Sequence, residues 1–170
     1  RFVISSPFDT YSGYGARSRD IIKSIIKSDK YQVELLSQRW GDTSWGFCKE
    51  HPEWAFLLNY LGNREWQQTP VDYWMQITIP NEFQPVGDYN IGLTAGVETT
   101  IRPAECLDGI NRMDKVLVSS EFTKQVIMNT NKDLLSKGIK YITISLPCLF
   151  IGPAVIHFAF INKLQTLYYL

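Results

Sequence analysis

A chain of 170 residues is long enough to bury a full hydrophobic core, and a composition 45% hydrophobic and 20% charged excludes a disordered polymer and an ordinary membrane bundle. Seventeen Lys and Arg balance seventeen Asp and Glu with no basic run among them, so nucleic acid and anionic lipid lack the clustered positive charge they need. Three scattered cysteines, Cys48, Cys106 and Cys148, form no C-x-x-C pair, and only His51 and His157 could join them around a soft metal. The pattern reads as reduced thiols in a cytoplasmic protein without a metal site.

In chain order, RFVISS is a short apolar run stopped by Pro7, as in a buried strand of a parallel sheet. The turn-rich loop PFDTYSGYG follows. In ARSRDIIKSIIKSDK, Ile21, Ile22, Ile25 and Ile26 share one helical face, with Lys23 and Lys27 on the other. YQVELLS alternates as a second strand, completing a β–loop–α–β unit whose crossover is right-handed. Arg39 to Gln68 is less regular. Its HPEWAFLLNYLG stretch suits a short helix with Pro52 in the first turn and Gly62 past the end. Trp40, Trp45, Trp54 and Trp66 in this region are read either as core and lid packing or as platforms for a sugar ring.

Strand patterns return at VDYWMQITIP and YNIGLTAG; PAECLDGINRM suits a helix. DKVLVSSEFTKQVIMNT predicts a strand over Lys115–Val118, an N-cap at Ser119 or Ser120, and a helix with Glu121 in its first turn. KYITISLP predicts one more strand. This alternation predicts an α/β domain over residues 1–147, a mostly parallel sheet with helices on both faces. Residues 148–170 form an apolar tail. It is interrupted by Gly152, Pro153 and His157 and is shorter than the ~20 residues that cross a bilayer. A helix from about Pro153 packed on the sheet, or docking on a second copy, is expected, and membrane association is not.

The first candidate for chemistry is S-G-Y-G-A-R-S-R, Ser12–Arg19. Glycines at a helix start let the backbone approach an anion, which the free amides and the dipole favour. No G-K-[ST] follows, so this is not a P-loop. As a dinucleotide fingerprint it fails at Ser18 and stands too far beyond the first strand, while Glu34, at the spacing of a ribose-binding acid, lies inside its strand. A plain turn is the alternative. Two more loops follow strand ends, PNEF (Pro80–Phe83) and AGVETTIRP (Ala95–Pro103), at the edge where open α/β sheets bind ligands. Asn81, Glu82, Glu98, Thr99, Thr100 and Arg102 could hydrogen-bond sugar hydroxyls, and Glu82 with Glu98 could form a general-base pair. The alternative is solvated loop charge.

The order S-G-Y-G-A-R-S-R, I-P-N-E-F, I-G-L-T-A-G-V-E-T-T-I-R-P and M-D-K-V-L-V-S-S-E-F-T-K resembles the N-terminal domain of family 4-like retaining glycosyltransferases, those of bacteria and large phages most of all. The most specific piece is D-K-V-L-V-S-S-E-F-T-K, and the resemblance spans roughly Phe2 to Pro147. It implies one Rossmann-like half of a GT-B fold, transferring sugar from a nucleotide-sugar co-substrate without metal or other cofactor. The loop Gly13, Tyr14, Gly15 would face the donor phosphates, the loops at Asn81 and at Glu98 and Thr99 would line the acceptor side, and Arg17 is a further substrate-binding candidate. The donor-binding C-terminal domain of such enzymes has no counterpart in these residues, so a second domain or second chain is an expected partner and this half is expected to be inactive alone. A non-catalytic binding or assembly module of the same fold is the alternative, and a nicotinamide-dependent oxidoreductase a third reading.

Overall fold

The computed structural model describes residues 1–63, 65–95, 104–136 and 149–150. They divide between two compact units, Arg1–Asp72 and Tyr73–Ile151. In each, helices alternate with strands, and every pairing between strands within a unit is parallel. The fold is α/β and Rossmann-like.

In the first unit, β1 (Phe2–Ser6) pairs with β2 (Val33–Ser37) in register Phe2↔Val33 to Ser6↔Ser37. Every residue of β1 is buried, as its unbroken apolar start requires. The crossover is α1 (Gly13–Lys27), which buries Ile21, Ile22 and Ile25 at helical spacing. Each contributes roughly 1.5–3 kcal/mol by leaving water. The free side of β2 is covered by Leu61, which bridges Leu35, and by Gly62, whose amide donates to the Leu35 carbonyl at 2.9 Å. Covering a strand edge removes a template for aggregation. Within β2 the Glu34 carboxylate accepts from Arg1 Nε at 2.9 Å, and Arg1 Nη1 donates to the Thr69 carbonyl at 2.7 Å. Glu34 is thus part of a side-chain clamp on the strand, a use unrelated to a ribose.

Two segments between β2 and the second unit differ from the sequence reading. A one-turn helix, α2 (Phe47–Glu50), has no local side-chain cap and no sequence signal. The helix expected at Pro52 is a 3₁₀ helix, Pro52–Tyr60, opened by the Trp54 amide on the His51 carbonyl at 2.9 Å. Its tighter winding ends where Leu61 joins β2.

In the second unit, β3 (Tyr73–Ile77), β4 (Tyr89–Thr94), β5 (Lys115–Val118) and β6 (Leu149–Phe150) pair in that order. Leu149–Phe150, assigned to the apolar tail from the sequence, is therefore a strand; the strand expected over 140–147 and the rest of the tail lie outside the described residues. A 3₁₀ turn, Pro80–Glu82, follows β3, α3 (Ala104–Asn111) precedes β5, and α4 (Glu121–Ser136) follows it. Phe83, Leu107, Ile110, Met113, Val116, Val118 and Ile127 form the core of this unit. Ser120 caps α4, its Oγ accepting from the Thr123 amide at 3.0 Å.

Buried polar side chains stitch the loops to the strands. The Gln76 amide donates to the Glu82 carbonyl at 3.0 Å and accepts from the Gln84 amide at 2.8 Å, so one side chain holds both ends of the turn after β3. Asn90 Oδ1 accepts from the Val86 and Gly87 amides at 2.8 and 2.9 Å, while its Nδ2 donates to Asp114 at 3.1 Å. Each buried polar group left without such a partner would cost about 1–3 kcal/mol.

Candidate functional site

In the first unit the loop Pro7–Ser12 leaves the C-terminal end of β1 and delivers the chain to the start of α1. Ser12, in extended conformation, caps the helix by accepting from the Gly15 amide at 2.9 Å, and its carbonyl takes the Ala16 amide at 2.9 Å. The two glycines differ in kind. Gly15 is buried, and a Cβ there would lie 2.4 Å from the Thr10 carbonyl oxygen and 2.9 Å from that of Pro7. Only glycine lets α1 sit this close to the loop. Gly13 is exposed; a Cβ there would meet nothing within 4 Å, and its amide has no hydrogen-bond partner among the described residues. Tyr14 stacks on Trp40, ring centroids 4.1 Å apart. Arg17 is half-buried, and its guanidinium has no ion pair or hydrogen bond among the described residues.

Behind this surface lies a layer that sequence reasoning missed. Arg19, only 4% exposed, donates from Nη1 to the carbonyls of Phe8 at 2.7 Å and Thr10 at 2.9 Å. Its guanidinium carbon lies 3.4 Å from the centre of the Phe47 ring, a cation–π contact shielded from water. Asp9 supplies the cap that α2 lacks locally. Its carbonyl accepts from the Gly46 and Phe47 amides and its carboxylate from the Cys48 amide at 2.8 Å. His51 stacks on Phe47 at 3.9 Å, and its Nδ1 donates to the Phe47 carbonyl at 2.9 Å. Tyr11 packs edge-on against Phe47 and donates its phenol to Glu50, a bond that, with the nearby negative charge, raises the phenol pKa. Trp54 belongs to the packing layer, with the Lys23 ammonium 4.8 Å from its ring centre. The only sequence cue for this layer was the density of turn formers before α1.

Cys48 is fully buried in that layer. Burial, and after it the charge of Asp9 and a hydrogen bond to it, push the thiol up from its ordinary value near 9 to about 12. A raised pKa in the folded state means the unfolded chain releases the proton first. The corresponding stability is therefore complete below about pH 9 and is lost as pH rises towards 12, at about 1.4 kcal/mol per pH unit. Urea unfolding at pH 8.5, 9.5 and 10.5 should show this decline in the wild type and a shallower one in Cys48→Ala. Parallel curves would contradict the assignment. The native Cys48 peptide should also resist alkylation at pH 8, where its thiolate is scarce.

In the second unit, β3 and β4 are parallel, so the turn after β3 and the segment after β4 leave the same edge of this sheet. Asn81 is exposed, and its side-chain amide has no hydrogen-bond partner among the described residues. Glu82 is exposed, but its carboxylate accepts from the Thr78 hydroxyl and closes the turn. Ala95, where the chain leaves β4, has its carbonyl held by Ser119 Oγ at 2.9 Å and Thr123 Oγ1 at 3.0 Å. Glu98 and Thr99, with Thr100 and Arg102, lie outside the described residues, and so does the separation of Glu82 from Glu98.

Among the described residues no group of three or more His, Cys, Asp or Glu side chains could hold a metal ion, and no helix is long and apolar enough to cross a membrane. Residues 128–170 match the model of a family of unknown function, DUF6095. No curated protein and no solved structure matches the chain.

Proposed function

We propose that this chain is the acceptor-side half of a glycosyltransferase, transferring a sugar from a nucleotide-sugar to an acceptor. One observation supports the reading most: three of the four glycosyltransferase-like motifs fall where the chain enters a helix or leaves a strand of an α/β fold. S-G-Y-G opens α1, I-P-N-E-F makes the turn after β3, and V-L-V-S-S-E-F runs from β5 into α4. Ligands of such folds bind beyond the carboxyl ends of the strands. In this reading Gly13, Tyr14, Gly15 and Arg17 serve the donor diphosphate, whose developing negative charge amides and a guanidinium stabilise without metal. Gly15 acts by shaping the helix start rather than by touching ligand. Asn81, Glu98 and Thr99 serve the acceptor, and Glu82 and Glu98 are the candidate bases. The nucleotide itself would be held mainly by a second domain or chain, in a cytoplasmic enzyme.

One observation favours the second reading, a non-catalytic binding or assembly module: the Glu82 carboxylate is engaged in closing its own turn. The experiment is release of UDP or GDP from sugar donors by this half combined with a donor-binding GT-B domain or chain, wild type against Arg17→Ala and Asn81→Ala. Release that falls in both variants supports the enzyme; no release with any donor supports the module. Calorimetric titration of the 170 residues with UDP- and GDP-sugars is expected to give only feeble binding. Micromolar affinity, worth about 8 kcal/mol, would place a complete donor site in this half.

A further inference from the structure

We propose that Tyr11, Trp45, Glu50 and His51 form a subsite for the ring of a neutral saccharide, an inference that rests on the glycosyltransferase reading and names its acceptor class. Tyr11, Glu50 and His51 meet through side-chain contacts at the C-terminal edge of the β1–β2 pair, and the backbone of Trp45 is paired beside them. Thr10 and Trp45 form an isolated antiparallel bridge, and the Tyr11 amide donates to the Ser44 carbonyl at 3.2 Å. Asp9 then fixes the start of α2, which carries Glu50 and leads into His51.

Two large aromatic side chains are exposed at this place, Tyr11 at 42% and Trp45 at 44%. Exposure alone would mean little. What distinguishes Tyr11 is that it is held in place while exposed. Its hydroxyl is bonded to Glu50, and its ring abuts Phe47 at 5.0 Å and His51 at 5.9 Å. Those rings are stacked in turn beneath the buried Arg19 guanidinium. A surface side chain gives up rotamer entropy to be held in this way, and prior ordering of contact groups lowers the cost of binding.

The chemistry of the polar groups selects the ligand. The exposed Glu50 carboxylate accepts hydrogen bonds. Because His51 Nδ1 donates to the Phe47 carbonyl, the Nε2 of the neutral ring is also an acceptor. A ligand matching this surface presents several hydroxyl donors around an apolar C–H face that can lie on an aromatic ring. A pyranose has both. Of the four tryptophans between Arg39 and Gln68, Trp45 is then a platform, whereas Trp54 is packing under Lys23.

The test is saturation-transfer and chemical-shift NMR with methyl α-glucoside, methyl α-galactoside and methyl α-mannoside, and with uridine as a non-saccharide ring. At least one methyl glycoside should bind weakly and shift the Tyr11 and Trp45 ring signals. Trp45→Ala should weaken it roughly tenfold with an unchanged thermal midpoint, and Glu50→Ala should weaken it several-fold. Should Trp45→Ala fail to fold, Glu50→Ala and the wild-type ring shifts decide the matter. Absence of binding by all three glycosides, binding indifferent to these substitutions, or uridine in their place overturns the subsite. Nucleoside diphosphate release without glycoside binding would sink the subsite and leave the enzyme reading; glycoside binding here without release would do the reverse.

Discussion

Replacing Gly109 with alanine should lower the thermal midpoint by roughly 10 °C, the opposite of what this change does on an exposed helix face. There, alanine in place of glycine gains about 1 kcal/mol. At Gly109 the new Cβ would stand 1.6 Å from the Pro80 carbonyl oxygen and 2.5 Å from its carbon. Both are backbone atoms, so no side chain can swing aside. Either α3 moves outward and loosens Leu107 and Ile110 in the core, or the Pro80–Glu82 turn shifts and loses the bonds from Gln76 and Thr78. Overpacking typically costs about 1–3 kcal/mol, and a contact this short belongs at or above the top of that range. Each kcal/mol moves the midpoint by about 2–4 °C in a chain of this size. Gly13→Ala is the control, since its Cβ meets nothing within 4 Å. Calorimetry showing Gly109→Ala as stable as Gly13→Ala would mean that the turn after β3 is not seated on α3.

The contrast between these glycines shows what was legible in the sequence and what was not. Local signals were readable. The apolar run Phe2–Ile4, the isoleucine stripe of α1, and the serine cap of α4 each announce an element through its own residues. Contacts between segments were not. Nothing in D-G-I-N announces that Gly109 touches Pro80, and nothing in G-F-C-K-E announces α2, whose cap comes from Asp9 in a distant loop. The candidate site divides in the same way. The S-G-Y-G and P-N-E-F loops were found by composition and by their place after strands. The different duties of Gly13 and Gly15, and the use of the Glu82 carboxylate by Thr78, are three-dimensional facts. The tryptophans could not be sorted from sequence because packing and display use the same residue type; in the structure Lys23 lies over Trp54, while Trp45 is exposed.

Arg19→Met should destabilise the protein by about 3 kcal/mol and loosen the loop at the head of α1. The substitution keeps an apolar stem of similar length but removes the donor that serves both the Phe8 and Thr10 carbonyls. Two buried carbonyls without partners cost about 1–3 kcal/mol each, and a desolvated cation–π contact adds about 2 kcal/mol to the loss. Against this stands relief from burying a cation, since burial already lowers the Arg19 pKa. The expected loss lies between these opposing effects. Arg19→Lys should recover only part of it, because an ammonium cannot lie flat on Phe47 as the planar guanidinium does. Urea unfolding measures the total, and amide hydrogen exchange locates it. Protection should fall first at Gly46, Phe47 and Cys48, whose acceptors are all on Asp9, next to the anchored Phe8 carbonyl. If Arg19→Met costs under about 1 kcal/mol and these amides stay protected, the relief of burying a cation balances its bonds. The loop would then be held by Asp9 and the fit of Gly15 rather than by Arg19.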